Sequence, residues 1–127
     1  MAVSRLPGCI VEHTSKLESD LPEAERTVFG IRVLTGAQWK MYQARLEAAT
    51  AQKALVAARE FVASGLAYVR NHEVMDAQGN RSPFSLELSG ADLSDASFQV
   101  LHPFMAEIME WIRTAHQVTE PDLKNSP

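Results

Sequence analysis

A chain of 127 residues, 46% hydrophobic and 22% charged, is sized for one domain that buries a core without covalent staples. Its single cysteine, Cys9, excludes an internal disulfide framework and a thiolate metal cluster. A net charge of −4 argues against sequence-blind binding of nucleic acid, and no stretch reaches the ~18 apolar residues of a membrane span.

With no charged, apolar, small-residue leader at its start, the chain reads as a soluble, cytoplasmic protein. Residues 1–26 mix Pro7, Gly8 and Pro22 with scattered polar residues and hold no sustained period, which predicts an irregular N-terminal arm. Residues 27–116 form the expected domain. Residues 117–127 carry two prolines, and of 120–127 only Leu123 is apolar, which predicts a flexible tail.

Within the domain, Phe29, Ile31 and Val33 alternate through a β-branched and aromatic run, which predicts a strand over 27–34. Gly36 marks a turn and Thr35 a cap. From 37 to 70 there is no proline, and alanine and other helix formers dominate. One helix of that length would be a rod of about 50 Å, against a radius of gyration of about 14 Å for a compact chain of this size. The rod must break, with Ser64-Gly65 the expected place, or protrude from its own domain. Residues 76–80 are a turn by composition, and Phe84-Ser85-Leu86-Glu87-Leu88 alternates as a short strand that could pair with the first. A last helical region follows over 93–115, and Pro103 should kink or divide it.

Two helical faces stand out. Met41, Ala48, Leu55, Val62 and Val69 recur every seven residues, with Ala44, Ala51, Ala58 and Gly65 three places on. Small residues in that second row let another helix come close. A further seam, Trp39, Tyr42, Leu46, Ala49 and Val56, lies beside it, so the helix is sandwiched either within its fold or between subunits. The sharper reading makes Ala44, Ala48, Ala51, Leu55 and Ala58 a self-association surface. In the last helix Phe104, Ile108, Trp111, Ile112 and Ala115, widened by Met105 and Met109, span about 160°. Methionines at the edge of so wide an arc either fill core gaps or provide an adaptable binding surface.

Chemistry-bearing patterns are missing. His13, His72, His102 and His116 have no ligand spacing, and His72-Glu73 lacks the second helical histidine of a zinc motif. Glu18 with Asp20 and Asp92 with Asp95 read as solvated or capping carboxylates, Gly79 and Gly90 are isolated, and Cys9 has no evident base. Arg45, Lys53, Arg59 and Arg70 are interrupted by Glu47 and Glu60, as on a solvated face. The expectation is a protein that is no enzyme, with no cofactor, no catalytic residue and no metal site.

The stretch Phe29-Gly30-Ile31-Arg32-Val33-Leu34-Thr35-Gly36-Ala37-Gln38-Trp39 resembles the start of tail assembly chaperones of long-tailed bacteriophages, whose strand ends in an arginine–x–leucine–threonine–glycine type motif before an aromatic-bearing helix. The strand at 84–88 and the helical region at 98–112 look like the family's second half. The resemblance implies a non-catalytic protein of the host cytoplasm. It would keep the unassembled tape measure protein soluble and recruit tail tube protein. It also implies a longer form made by frameshifting, and Lys124-Asn125 is compatible with a slippery codon run.

The expected fold is therefore α+β and predominantly α-helical, with a long helix, a small antiparallel strand pair and a kinked C-terminal helical region. Met105, Met109, Trp111 and Ile112 would line the client surface, and the alanine seam would make a homo-oligomer. The alternatives are a structural virion ring subunit, at the head–tail joint or tail terminus, and a small regulatory binding module.

Overall fold

A computed structural model describes residues 2–48 and 50–118. Strand β1 (Ile10–His13) precedes two single 3-10 turns, Lys16–Glu18 and Glu23–Glu25. Strand β2 (Val28–Arg32) leads into helices α1 (Gly36–Ala48) and α2 (Ala51–Gly65). Strand β3 (Leu66–Arg70) follows, then two small ribbons, β4 (Glu73–Met75) with β5 (Arg81–Pro83), and β6 (Leu88–Ser89) with β7 (Asp92–Leu93). Helix α3 (Asp95–Leu101), a 3-10 turn at His102–Phe104 and helix α4 (Met105–Thr114) form one helical run of 20 residues.

The predominantly helical expectation is overturned. Of the described residues 47% are helical and 22% are in strands, and among them three antiparallel sheets form. Strand β2 is the centre of a three-stranded sheet, pairing Phe29 with His13 on one side and with Val69 on the other. Its partners are thus β1 and β3, not residues 84–88. The N-terminal arm is not irregular throughout, since Ile10–His13 is a sheet strand. Two adjacent apolar residues, Ile10 and Val11, blur its period, and pairing with β2 rather than local preference makes it a strand.

The long helix does not exist. Thr50 adopts extended backbone (ψ 164°), and its side chain accepts from the Lys53 amide, so a new helix begins there and folds back on the first. The chain then leaves the helix at Gly65 directly into β3. Leu-Ala-Tyr-Val-Arg, read from the seven-residue period as helix, gains a sheet edge instead. In the second half, Phe84 and Leu86 pack against the core, while only Leu88 enters a strand. Pro103 falls in the 3-10 turn, where its missing N–H breaks no helical bond.

Strand β2 sends Phe29 and Ile31 inward onto Phe61, Leu101, Phe104 and Ile108, all in one buried cluster. Polar clamps hold the N-terminal segment on this core. Glu107 of α4 accepts from the Ser15 hydroxyl and from the Lys16 amide at 3.0 Å. Glu18 accepts from the Thr27 amide at 2.6 Å and from its hydroxyl at 2.9 Å. The hydroxyl's one proton is then spent, so His72 donates Nδ1–H to Thr27 Oγ1 at 2.8 Å. Arg59 fastens β7 and α3 to α2. It donates to Asp92 and to the Leu93 carbonyl, both at 3.0 Å, with its guanidinium 4.3 Å from the Phe98 ring centre.

On the sheet's outer face Tyr68 lies flat over Gly30, where a Cβ would collide with its ring. The Tyr68 hydroxyl donates to Glu12 at 2.6 Å, and Arg70 Nε donates to the same oxygen at 3.1 Å. Arg70, then Tyr68, lowers the Glu12 pKa below the usual glutamate range. A carboxylate depressed in the folded state adds stability above its unfolded pKa and loses it as pH falls through the folded value. A carbon-detected NMR titration should place the Glu12 midpoint below those of other surface glutamates. Arg70→Leu should move it up, and an unchanged midpoint would deny the pairing.

Candidate functional site: the distal half of a helical hairpin

Helix α1 begins in a reciprocal cap. Gln38 N–H donates to Thr35 Oγ1 at 3.1 Å, and Thr35 N–H donates to Gln38 Oε1 at 3.0 Å. This cap sits at the junction between β2 and α1. Trp39 and Tyr42 then reach across to Phe61 of α2, with ring centroids at 5.9 and 5.6 Å. Further out, Arg45 ion-pairs with Glu60 and lies over the Tyr42 ring. The separation of these pairs shrinks toward the turn, from Trp39–Phe61 to Tyr42–Phe61 to Arg45–Glu60, so α1 and α2 form an antiparallel hairpin.

Only the proximal half of that hairpin is core. The buried residues of α2 are Ala57, Phe61, Val62, Ala63 and Gly65, and in α1 only Tyr42 is buried. Beyond them, among the described residues, the distal half stands clear of the cluster. Leu55 keeps 51% of its surface exposed and Val56 46%. Ala44, Ala48 and Ala51 are exposed with them. An open groove between the helices is lined by Arg45, Ala48, Lys53, Val56 and Ala57.

The sequence-derived sites land as follows. Of the alanine seam, Ala44, Ala48, Ala51 and Leu55 are exposed, and Ala58 is half-buried. They belong to two helices, so the seven-residue row is not one stripe; its fourth member, Val62, is fully buried. Of the second seam, Trp39 and Tyr42 face the core, Val56 faces out, and Ala49 lies outside the described residues.

The client-surface reading of the last helix needs correction. Ile112 is only 4% exposed and rests against Gly65. Trp111 stacks on His13 of β1 at 4.9 Å with the planes 6° apart, and packs on Phe29 at 5.5 Å. Met105 and Met109 are half-buried against the core. The broad arc is used up by two neighbours, since α4 packs on α2 with one flank and on the sheet with the other. A wide apolar arc signals two-sided burial as readily as a binding surface.

Sequence reading missed a cleft between the start of α1 and the end of α4, and His13 as the lid over Trp111. Neither has a local signal, because each joins segments far apart in the chain, Trp39 with Ile112 in one and His13 with Trp111 in the other. Cys9 is exposed. Among the described residues no group of three or more His, Cys, Asp or Glu is placed to hold a metal ion, and no helix is long and apolar enough to cross a membrane. The tail at 119–127, including Lys124-Asn125, lies outside the described residues. No family model, curated protein or solved structure matches this chain.

Proposed function

We propose that this protein is a tail assembly chaperone that holds the unassembled tape measure protein on the distal half of its α1–α2 hairpin, and presents it to tail tube protein. The observation that carries this reading is the set of apolar residues left uncovered there, Ala44, Ala48, Ala51, Leu55 and Val56. A long helical client needs a surface on which its own apolar stripe can lie, and small side chains flanked by flexible ones accept many registers. Several copies of the same protein would line up along such a client, which is the sense in which a homo-oligomer belongs to the proposal.

The test is a pull-down of the co-expressed tape measure protein with the wild-type chain and with Leu55→Asp/Ala51→Asp. These exposed changes should leave the circular dichroism unchanged and weaken capture three- to tenfold, about 1 kcal/mol. Full capture by the folded double variant would remove the hairpin from the role. Recovery of the protein in stoichiometric amounts from purified particles would instead make it a ring subunit of the virion.

A further inference from the structure

The cleft between the start of α1 and the end of α4 holds about 320 Å³, the volume of roughly ten molecules of liquid water. Its floor is apolar. Val33 and Ile112 are almost fully buried, and half-buried Trp39 lines the cleft while its ring packs on Phe61. Among the described residues, the titratable side chains lining it are Arg5, Arg113 and His116, all basic. The whole chain carries 16 acidic side chains against 12 lysines and arginines, so a lining of one basic sign is a local inversion of charge. The larger hollow beside His72 differs in this respect. There Glu18, Glu25 and Glu73 stand with Arg70 and Arg81, and the signs offset one another.

The basic groups differ in what already holds them. Arg5 Nη1 donates to the Ala115 carbonyl at 3.1 Å and to the Gln117 carbonyl, which fixes it at the end of α4. Arg113 Nη1 stands 3.5 Å from Glu110 Oε2, and both side chains are exposed. A pair so long and so wet leaves most of the guanidinium's donors for another acceptor. Gly36, the first residue of α1, is also part of the wall. In that first turn the Gln38 amide donates to Thr35 Oγ1 and the Trp39 amide to the Thr35 carbonyl. The Gly36 N–H has no carbonyl within the helix to donate to. A Cβ built on Gly36 would meet nothing within 4 Å, so its backbone is open to close approach.

We infer that this cleft binds a small organic carboxylate, its apolar body over Val33, Trp39 and Ile112 and its charged head met by Arg113 and His116. A planar guanidinium matches a carboxylate with two parallel hydrogen bonds, which fixes the head while the floor holds the body. An inorganic anion would gain nothing from the apolar floor. An uncharged apolar compound would lie against Arg113 and His116 with no acceptor for their N–H groups. Only a molecule with both parts uses the whole lining, which is the usual make-up of a small-ligand site. The assignment stands on this cleft alone, whatever the hairpin carries.

The test is a titration of the full chain with phenylbutyrate, followed by the indole N–H signals of its two tryptophans in an NMR spectrum. The Trp39 signal should shift and saturate, while that of Trp111, stacked on His13, stays in place. Trp111→Phe assigns the pair. Phenylbutanol, the same body without the charge, should bind roughly tenfold more weakly or worse. Arg113→Gln, with an unchanged circular dichroism spectrum, should weaken phenylbutyrate by roughly fivefold or more and leave phenylbutanol as it was. Equal binding of acid and alcohol would overturn the proposal, by making the cleft a plain apolar gap. So would a Trp39 signal that stays still up to about 10 mM phenylbutyrate, or an affinity indifferent to Arg113→Gln. A tripeptide ending in leucine that binds roughly tenfold tighter than phenylbutyrate would overturn it too, by making the occupant a chain terminus.

Discussion

Phe61→Ala is expected to cost about 3–5 kcal/mol of stability, the usual range for removing a fully buried aromatic ring. Phe61 has no exposed surface and receives Trp39 and Tyr42 from α1. It therefore does two jobs that a generic core residue does not combine. It fills the space beneath α2, and it is the surface on which α1 closes. The other link seen across the hairpin, Arg45 with Glu60, is partly exposed and worth at most about 1 kcal/mol. Removing the ring should consequently free α1 before the sheet melts. The measurement is a urea transition followed in parallel by far-ultraviolet circular dichroism and by tryptophan fluorescence. In Phe61→Ala the fluorescence transition should precede the other. In Phe61→Leu, which keeps most of the volume, the two should coincide and the loss should fall to roughly 1–2 kcal/mol. A loss below about 1.5 kcal/mol for Phe61→Ala, with coincident transitions, would mean that α1 is held by something else.

That hairpin is also where sequence reading and structure part most clearly. Phe29, Ile31 and Val33 alternate cleanly, and a strand with one buried face has a local signature, so β2 is legible. Thr35 and Gly36 announce the helix after it. The fold-back at Thr50 has almost none, because Ala48, Ala49 and Ala51 favour helix on both sides and a single threonine carries little weight. What bends the chain is a meeting of Trp39 and Tyr42 with Phe61, and no local window contains both sides of it. The seven-residue row through Met41, Ala48, Leu55, Val62 and Val69 then reads as one seam. In fact it crosses two helices and ends in β3. The same blindness to partners turned α4's two packing flanks into one expected surface. Met105, Met109, Trp111 and Ile112 have the composition of an adaptable site, but packing against the sheet and α2 buries Ile112 and half-buries the other three. Exposure of Ala44, Ala48, Ala51 and Leu55 follows from their place beyond Ala57, where the core stops. Periodicity finds apolar faces; it does not say what lies against them.

One small residue of the repeat does admit a close helix, and its partner is internal. A Cβ built on Gly65 would lie 2.5 Å from Ile112 Cδ1, 2.6 Å from Cγ1 and 2.9 Å from Cγ2. Both branches of the isoleucine are involved, so a change of its first torsion angle exchanges one collision for another. Ile112 is buried, so α4 itself has to move. Gly65→Ala should therefore destabilise by about 1–3 kcal/mol from overpacking, although alanine is favoured over glycine within a helix by about 1 kcal/mol. Steric loss and intrinsic gain have opposite signs here, and the measured sign decides which governs. Ile112→Ala alone should cost about 2–5 kcal/mol. In the double variant the new methyl enters the space that the isoleucine vacates, so the two losses should not add. The coupling should favour the double variant by at least about 1 kcal/mol in a thermodynamic cycle. Additive losses, or a stabilised Gly65→Ala, would show that α2 and α4 are not in contact at this point, and that the small residue at 65 reflects the helix end alone.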